Sequence, residues 1–85
     1  MKTFTYTIKD EFGMHARPAG LLAKEAKTFS STIMIDNGQK KVNAGKLIAL
    51  MSMGIRKGDT VTVSIEGADE DLCLAHIRKF FEKNL

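Results

Sequence analysis

Thr60-Val61-Thr62-Val63-Ser64-Ile65 alternates hydroxyl and aliphatic residues without a break. A period of two sends successive side chains to opposite faces of a strand, so Val61, Val63 and Ile65 share one face and the hydroxyls the other. Thr3 to Ile8 repeats the pattern, with Phe4, Tyr6 and Ile8 on one side and Thr3, Thr5 and Thr7 on the other. Strands of this kind belong to a sheet that is dry on one face and wet on the other, the habit of antiparallel sheets. Helices must then cover one face only, which makes the chain an α+β layer pair.

The remaining segments supply those helices and two further strands. The reading has seven elements in the order βαββαβα. A first strand runs from about Lys2 to Ile8. A helix follows from about Ala16 to Phe29, with Ala19, Leu22, Ala26 and Phe29 as its apolar stripe. Thr32 to Asp36 is a strand with Ile33 and Ile35 facing in. Asn37-Gly38 reads as a two-residue hairpin turn, since both residue types tolerate positive φ. Gln39 to Asn43 is then a short polar edge strand. Leu47 to Met53 forms a short helix ended by Gly54, with Asn43 as its cap. Thr60 to Ile65 is the fourth strand. The last helix begins among Asp69, Glu70 and Asp71, where carboxylates suit the helix dipole. It runs to about Lys83, with Leu74, Ile77 and Phe81 toward the sheet. Eighty-five residues make one domain, 1–85, with one modest core. Met1-Lys2-Thr3 opens directly into a strand with no apolar leader. The longest apolar run, Leu47 to Met51, is far too short for a bilayer span. The lone Cys73 allows no internal disulfide, and these features together point to the cytosol.

Between the first strand and the first helix lies Gly13-Met14-His15-Ala16-Arg17-Pro18-Ala19-Gly20. Gly13 permits a sharp reversal, and Pro18 fits a first helical turn, where its missing N–H is no loss. His15 therefore sits at a helix N-terminus, where unpaired main-chain N–H groups and the positive dipole end favour an anion. A phosphoryl group on the imidazole would meet that environment, and Arg17 can add a forked donor beside it. Histidine suits the task because one neutral ring nitrogen keeps a free lone pair near pH 7.

Met14-His15-Ala16-Arg17-Pro18-Ala19 resembles the active-site signature of the HPr family, the histidine-containing phosphocarriers of the bacterial phosphoenolpyruvate-dependent phosphotransferase system. Lys41-Val42-Asn43, Leu47 to Gly54, Lys57-Gly58-Asp59 and Glu66-Gly67-Ala68-Asp69-Glu70 fall at family spacing, so the resemblance covers essentially the whole chain. It implies an open-faced β-sandwich: a four-stranded antiparallel sheet under three helices. It implies that His15, through the ring nitrogen nearer the backbone, takes a phosphoryl group from enzyme I and passes it to the A domain of a sugar permease. It assigns the phosphoryl group to Ala16 and Arg17. It assigns partner contact to Gly20, Lys24, Lys27, Leu47, Ile48 and Met51. No cofactor or metal is implied, and the chain would be a covalent carrier rather than a stand-alone catalyst, since phosphoryl transfer needs mostly positioning and charge neutralisation.

The residues themselves carry part of that assignment. Arg17, Lys24 and Lys27 fall on one helix face, which at a net charge of +3 favours acidic partners and acts mainly on association rate. The basic residues are not interleaved with aromatics, so nucleic acid is not the expected partner. The helix from Leu47 is apolar nearly all round. If Leu50 and Met53 face the core, Leu47, Ile48 and Met51 are left outside as a partner patch. His76 reads as a surface histidine and Cys73 as a small buried helix residue. With His15 they match no zinc spacing.

Two departures from the family stand out. Many members carry a regulatory serine where this chain has Lys46, so a serine kinase finds no acceptor there. Phe12 resembles the nitrogen-related branch, whereas Met51-Ser52-Met53-Gly54 resembles the sugar branch. The expected function is a sugar-branch phosphocarrier. The alternative is an HPr-like regulatory module, of the nitrogen-related branch or serving a transcriptional regulator.

Overall fold

The computed structural model describes residues 1–85. The elements are β1 (Lys2–Thr7), α1 (Ala16–Ala26), β2 (Thr32–Asp36), β3 (Lys41–Asn43), α2 (Leu47–Ser52), β4 (Thr60–Glu66) and α3 (Glu70–Asn84). The order is βαββαβα, and the strands form one antiparallel sheet in the order β1-β4-β2-β3.

Register shows why the alternating sequences set the fold. Phe4, Val63, Ile35 and Val42 lie opposite one another across all four strands, and Ile33 faces Ile65 in a parallel row. The intervening row, Thr5, Thr62, Asp36 and Lys41, is polar and lies on the other face. The helices cover the apolar face, where twenty buried apolar residues form one core. Leu22 of α1, Leu50 of α2, and Ile77 and Phe81 of α3 are sealed from solvent against Ile33, Ile35, Val61, Val63 and Ile65. Each such side chain contributes roughly 1.5–3 kcal/mol on burial. Phe81 also takes the edge-on contacts of Phe4 and Tyr6, at 5.7 and 5.4 Å between centroids.

The structure departs from the sequence reading in four places. The buried line of α3 is Cys73, Ile77 and Phe81, while Leu74 is only half-buried on its flank. The β2–β3 connection is a four-residue loop, closed by the pairing of Asp36 with Lys41. Only Gly38 has positive φ there. Asp36 and Asn37 turn their carboxylate and amide oxygens onto the main-chain N–H groups of Gly38, Gln39 and Lys40, so a longer loop replaces the two-residue turn and β3 starts at Lys41. Helix α1 stops at Ala26, where Lys27 is the C-cap and the Thr28 hydroxyl donates to the Glu25 carbonyl. Asn43 does not cap α2. Its amide oxygen accepts from Gly45 N–H, and Lys46 holds the N-cap position without a side-chain bond.

One long-range staple was not anticipated. Asp69 precedes α3, yet its carboxylate reaches back to Ser30 and Ser31, accepting from both main-chain N–H groups at 2.9 Å and from the Ser31 hydroxyl. These donors hold its carboxyl below the usual carboxylate range, the Ser31 hydroxyl contributing most.

Candidate functional site

The segment from Lys9 to His15 crosses from β1 to α1, and most of its main-chain N–H groups are spent on fixing its path. Lys9 and Asp10 N–H donate to the Leu85 main-chain oxygen at 2.5 and 2.8 Å. Gly13 N–H donates to the Asp10 carbonyl, and Met14 N–H to the Ile55 carbonyl at 3.1 Å. Gly13 sits at φ 64, and a Cβ there would lie 2.4 Å from the Ile55 carbonyl oxygen and 2.7 Å from Arg56 Cα. Only a residue without a side chain admits that approach. Buried Met14 then anchors the segment in the core immediately before His15.

His15 is the N-cap of α1, in extended conformation, and its carbonyl accepts the first helical bond from Ala19 N–H at 3.0 Å. Its imidazole makes no capping hydrogen bond. The side chain is 40% exposed, with Nε2 3.6 Å from Asp10 Oδ2. The ring of Phe12, itself 73% exposed, meets the imidazole edge-on with centroids 5.8 Å apart. Pro18 and Ala19 are buried, whereas Ala16 and Arg17 are exposed. The first-turn N–H groups of Ala16 and Arg17 have no acceptor within the helix, as geometry requires at any N-terminus. Arg17 enters none of the four ion pairs of the molecule. His15 with its unused imidazole, the free first-turn donors, and Arg17 with no ion-pair partner therefore all belong to the positive end of α1, an arrangement suited to an anion carried on the ring.

The basic residues extend from there. Lys24 and Lys27 are exposed, and the Lys27 stem lies along Gly45, whose hypothetical Cβ would be 3.8 Å from Lys27 Cγ. This joins the basic side of α1 to the loop before α2, where Lys46 is also exposed. In α2, Leu50 is buried, as is Met53 just after the helix. Ile48 is 77% exposed, Met51 43% and Leu47 38%. Gly20 is half-buried on α1. Leu50 and Met53 lie on the core side, and Lys24, Lys27, Leu47, Ile48 and Met51 on the solvent side, as the sequence reading has them.

Two residues singled out in the sequence lie apart from this cluster. His76 on α3 faces Glu25, with Nδ1 3.9 Å from Oε1, and packs on the ring of Phe29 at 5.5 Å. Cys73 is buried, and that burial pushes its thiol up to about 11. His15, Cys73 and His76 are not brought together. Sequence reasoning missed the Asp10 carboxylate beside His15. The available signal was an aspartate two residues before Phe12, since Asp10 Oδ2 accepts from Phe12 N–H at 2.9 Å in an Asx-type turn.

Residues 2–83 match the family model described as the PTS HPr component phosphorylation site. The chain is 45% identical over 85 aligned residues to the phosphocarrier protein HPr of Mycoplasma genitalium, covering 99% of this chain and 97% of that one. It is 42% identical to the HPr-like protein Crh of Halalkalibacterium halodurans over 76 residues, covering 89% and 90%. Among solved structures it resembles HPr-C-His from Thermoanaerobacter tengcongensis with a TM-score of 0.91 and 40% identity, over 96% of this chain and 92% of that one.

Proposed function

This chain belongs to the HPr family of the phosphotransferase system, and from that membership we propose that it is a phosphocarrier whose acceptor is His15. The phosphoryl group comes from phospho-enzyme I and leaves to the A domain of a sugar permease. The observation that carries this reading is the imidazole at the α1 N-cap. It is half-exposed, unused as a cap, and next to the free first-turn donors, with exposed Arg17 two residues on and in no ion pair. In the transfer, the lone pair of Nδ1 forms the new N–P bond as the bond from phosphorus to the donor breaks, and the donor keeps that electron pair. Ala16 N–H, Arg17 N–H and the Arg17 guanidinium then share the charge of the phosphoryl oxygens. No group in this chain removes a proton or supplies a leaving group, so the protein carries the group and its partners supply the remaining catalysis.

Docking follows from the same surface. Leu47, Ile48 and Met51 are exposed on α2, the Lys27 stem lies along Gly45 in the loop before it, and Lys24 is exposed on the same helix as Lys27, which fits an acidic partner with an apolar centre. Gly20 admits that partner close to α1, and its Cα has no heavy atom within 4 Å of the position a Cβ would take. With Lys46 at the start of α2, phosphorylation of that position by a serine kinase is absent from this scheme. The carrier role puts the chain in the cytosol, where enzyme I acts, and no helix is long and apolar enough to cross a membrane. A regulatory module that only docks would not need a histidine at this cap, which favours the carrier reading.

Incubation with phosphoenolpyruvate and enzyme I should give an acid-labile phosphohistidine by mass spectrometry. The His15→Ala variant should lose it while its melting point stays within the range of a surface change, about 0.5 kcal/mol. Label retained in His15→Ala refutes the assignment.

A further inference from the structure

We propose that Asp10 is the positioning residue that keeps the proton of neutral His15 on Nε2 and so leaves Nδ1 as the free lone pair; its use in phosphoryl transfer rests on the carrier reading above. The carboxylate is held in place before any partner arrives. Asp10 N–H donates to Leu85 at 2.8 Å, its carbonyl accepts from Gly13 N–H at 3.1 Å, and Oδ2 accepts from Phe12 N–H at 2.9 Å. That same Oδ2 stands 3.6 Å from His15 Nε2. An ionised carboxylate has only acceptors. A neutral imidazole beside it therefore gains by turning an N–H toward it and loses by turning a lone pair, and the contact made by one ring nitrogen decides which tautomer is present. The ring of Phe12 also packs edge-on with the imidazole, centroids 5.8 Å apart. Nδ1 is not consumed either, because the side chain makes no capping bond to the first turn of α1.

The arrangement also receives the charge that transfer creates. When the Nδ1 lone pair bonds to phosphorus, the proton already on Nε2 stays there, and the ring gains a positive charge facing Asp10. The 3.6 Å contact can then close to a charge-assisted hydrogen bond. No proton has to move.

The test is the 15N spectrum of the histidine side chains in the unphosphorylated protein at a pH where both rings are neutral. Two variants, Asp10→Asn and Glu25→Gln, each remove one negative charge. The asparagine oxygen can still accept from Phe12 N–H, so the loop keeps its turn. The glutamine removes the carboxylate facing His76 instead. In the wild type the Nε2–H form of His15 should dominate. In Asp10→Asn its ratio to the Nδ1–H form should fall by about twofold to fivefold, the range of a partly exposed charge contact. Glu25→Gln should leave His15 unchanged. The rate of labelling by phosphoenolpyruvate and enzyme I should fall with the tautomer ratio in Asp10→Asn. An unchanged His15 ratio in Asp10→Asn, or an equal change in Glu25→Gln, overturns the proposal. A wild type that shows the expected tautomer but takes no label refutes the carrier reading and leaves the positioning by Asp10 standing.

Discussion

Gly13→Ala tests whether the histidine is held by the close approach of two backbones. The added Cβ would lie 2.4 Å from the Ile55 carbonyl oxygen and 2.7 Å from Arg56 Cα. Both are main-chain atoms, so no rotamer change relieves the clash. At φ 64 the alanine also enters the left-handed region, which costs about 1–2 kcal/mol. If the segments part, Met14 N–H loses its bond to Ile55, and an unmade buried hydrogen bond costs roughly 1–3 kcal/mol more. The sum is about 2–5 kcal/mol, a fall in melting temperature of roughly 10–30 °C for a domain of this size. Gly38→Ala is the control. Gly38 has φ 92 but nothing within 4 Å of its hypothetical Cβ, so only the conformational part, about 1–2 kcal/mol, applies. Circular-dichroism melts of the two variants should therefore differ by a gap that measures the contact itself. At low temperature, where Gly13→Ala is still folded, phosphoryl acceptance should fall steeply, because misplacement by about 1 Å can reduce a rate a hundredfold. Equal melting points for the two variants refute the reasoning.

Three further outcomes follow from named contacts. Ile48→Glu should weaken enzyme I binding by about 1–2 kcal/mol or more in a calorimetric titration, yet shift folding stability by no more than about 0.5 kcal/mol, because Ile48 is the most exposed residue of the α2 patch; a large fall in melting temperature would assign it to the core. Asp69→Asn should destabilise most at neutral pH. The Asp69 carboxyl is lowered in the fold, so its contribution is present above the ordinary carboxylate value of about 3.9 and fades as pH falls through the lowered one. The gap between wild type and variant should close on acidification below about pH 4, and a gap that persists undiminished there refutes the staple. Cys73 should resist alkylation in the folded protein and react on unfolding, because it is fully buried and its thiol is pushed up to about 11; rapid modification of the native protein would contradict that burial.

The sheet was legible because alternation is a property of the strand itself. Thr60 to Ile65 cannot satisfy water and core in any other way, and the pairing of Val63 with Phe4 and Ile35 follows once the apolar faces must meet. The α2 patch was legible for a similar reason, since a short helix carrying Leu47, Ile48, Leu50 and Met51 has more apolar surface than one side can bury. The buried line of α3 was not. Cys73 and Leu74 are adjacent, both at helical spacing from Ile77 and Phe81, and the crossing of α3 over the sheet decides between them. The hairpin was misread because Asn37-Gly38 suits a two-residue turn in isolation. The side-chain oxygens of Asp36 and Asn37 hold the longer loop. Asp10 beside His15 has no period to betray it, because the residues between them run through an irregular loop whose path depends on Ile55 and Leu85.

That dependence on Ile55 joins the two halves of the candidate site. Met53 is buried at the end of α2, and Ile55, two residues on, is buried as well. The Ile55 carbonyl holds Met14 N–H, and Met14 directly precedes His15. A partner that presses on Leu47, Ile48 and Met51 therefore pushes on an element whose exit segment is hydrogen-bonded to the segment carrying the imidazole. Because both anchors, Met14 and Met53, lie in the one core, packing sets the offset between the exposed α2 patch and His15, the proposed docking surface and acceptor. A carrier that must present one ring nitrogen to several partners gains from such a fixed offset. Each partner can bind the patch by its own side chains and still find the histidine in the same place.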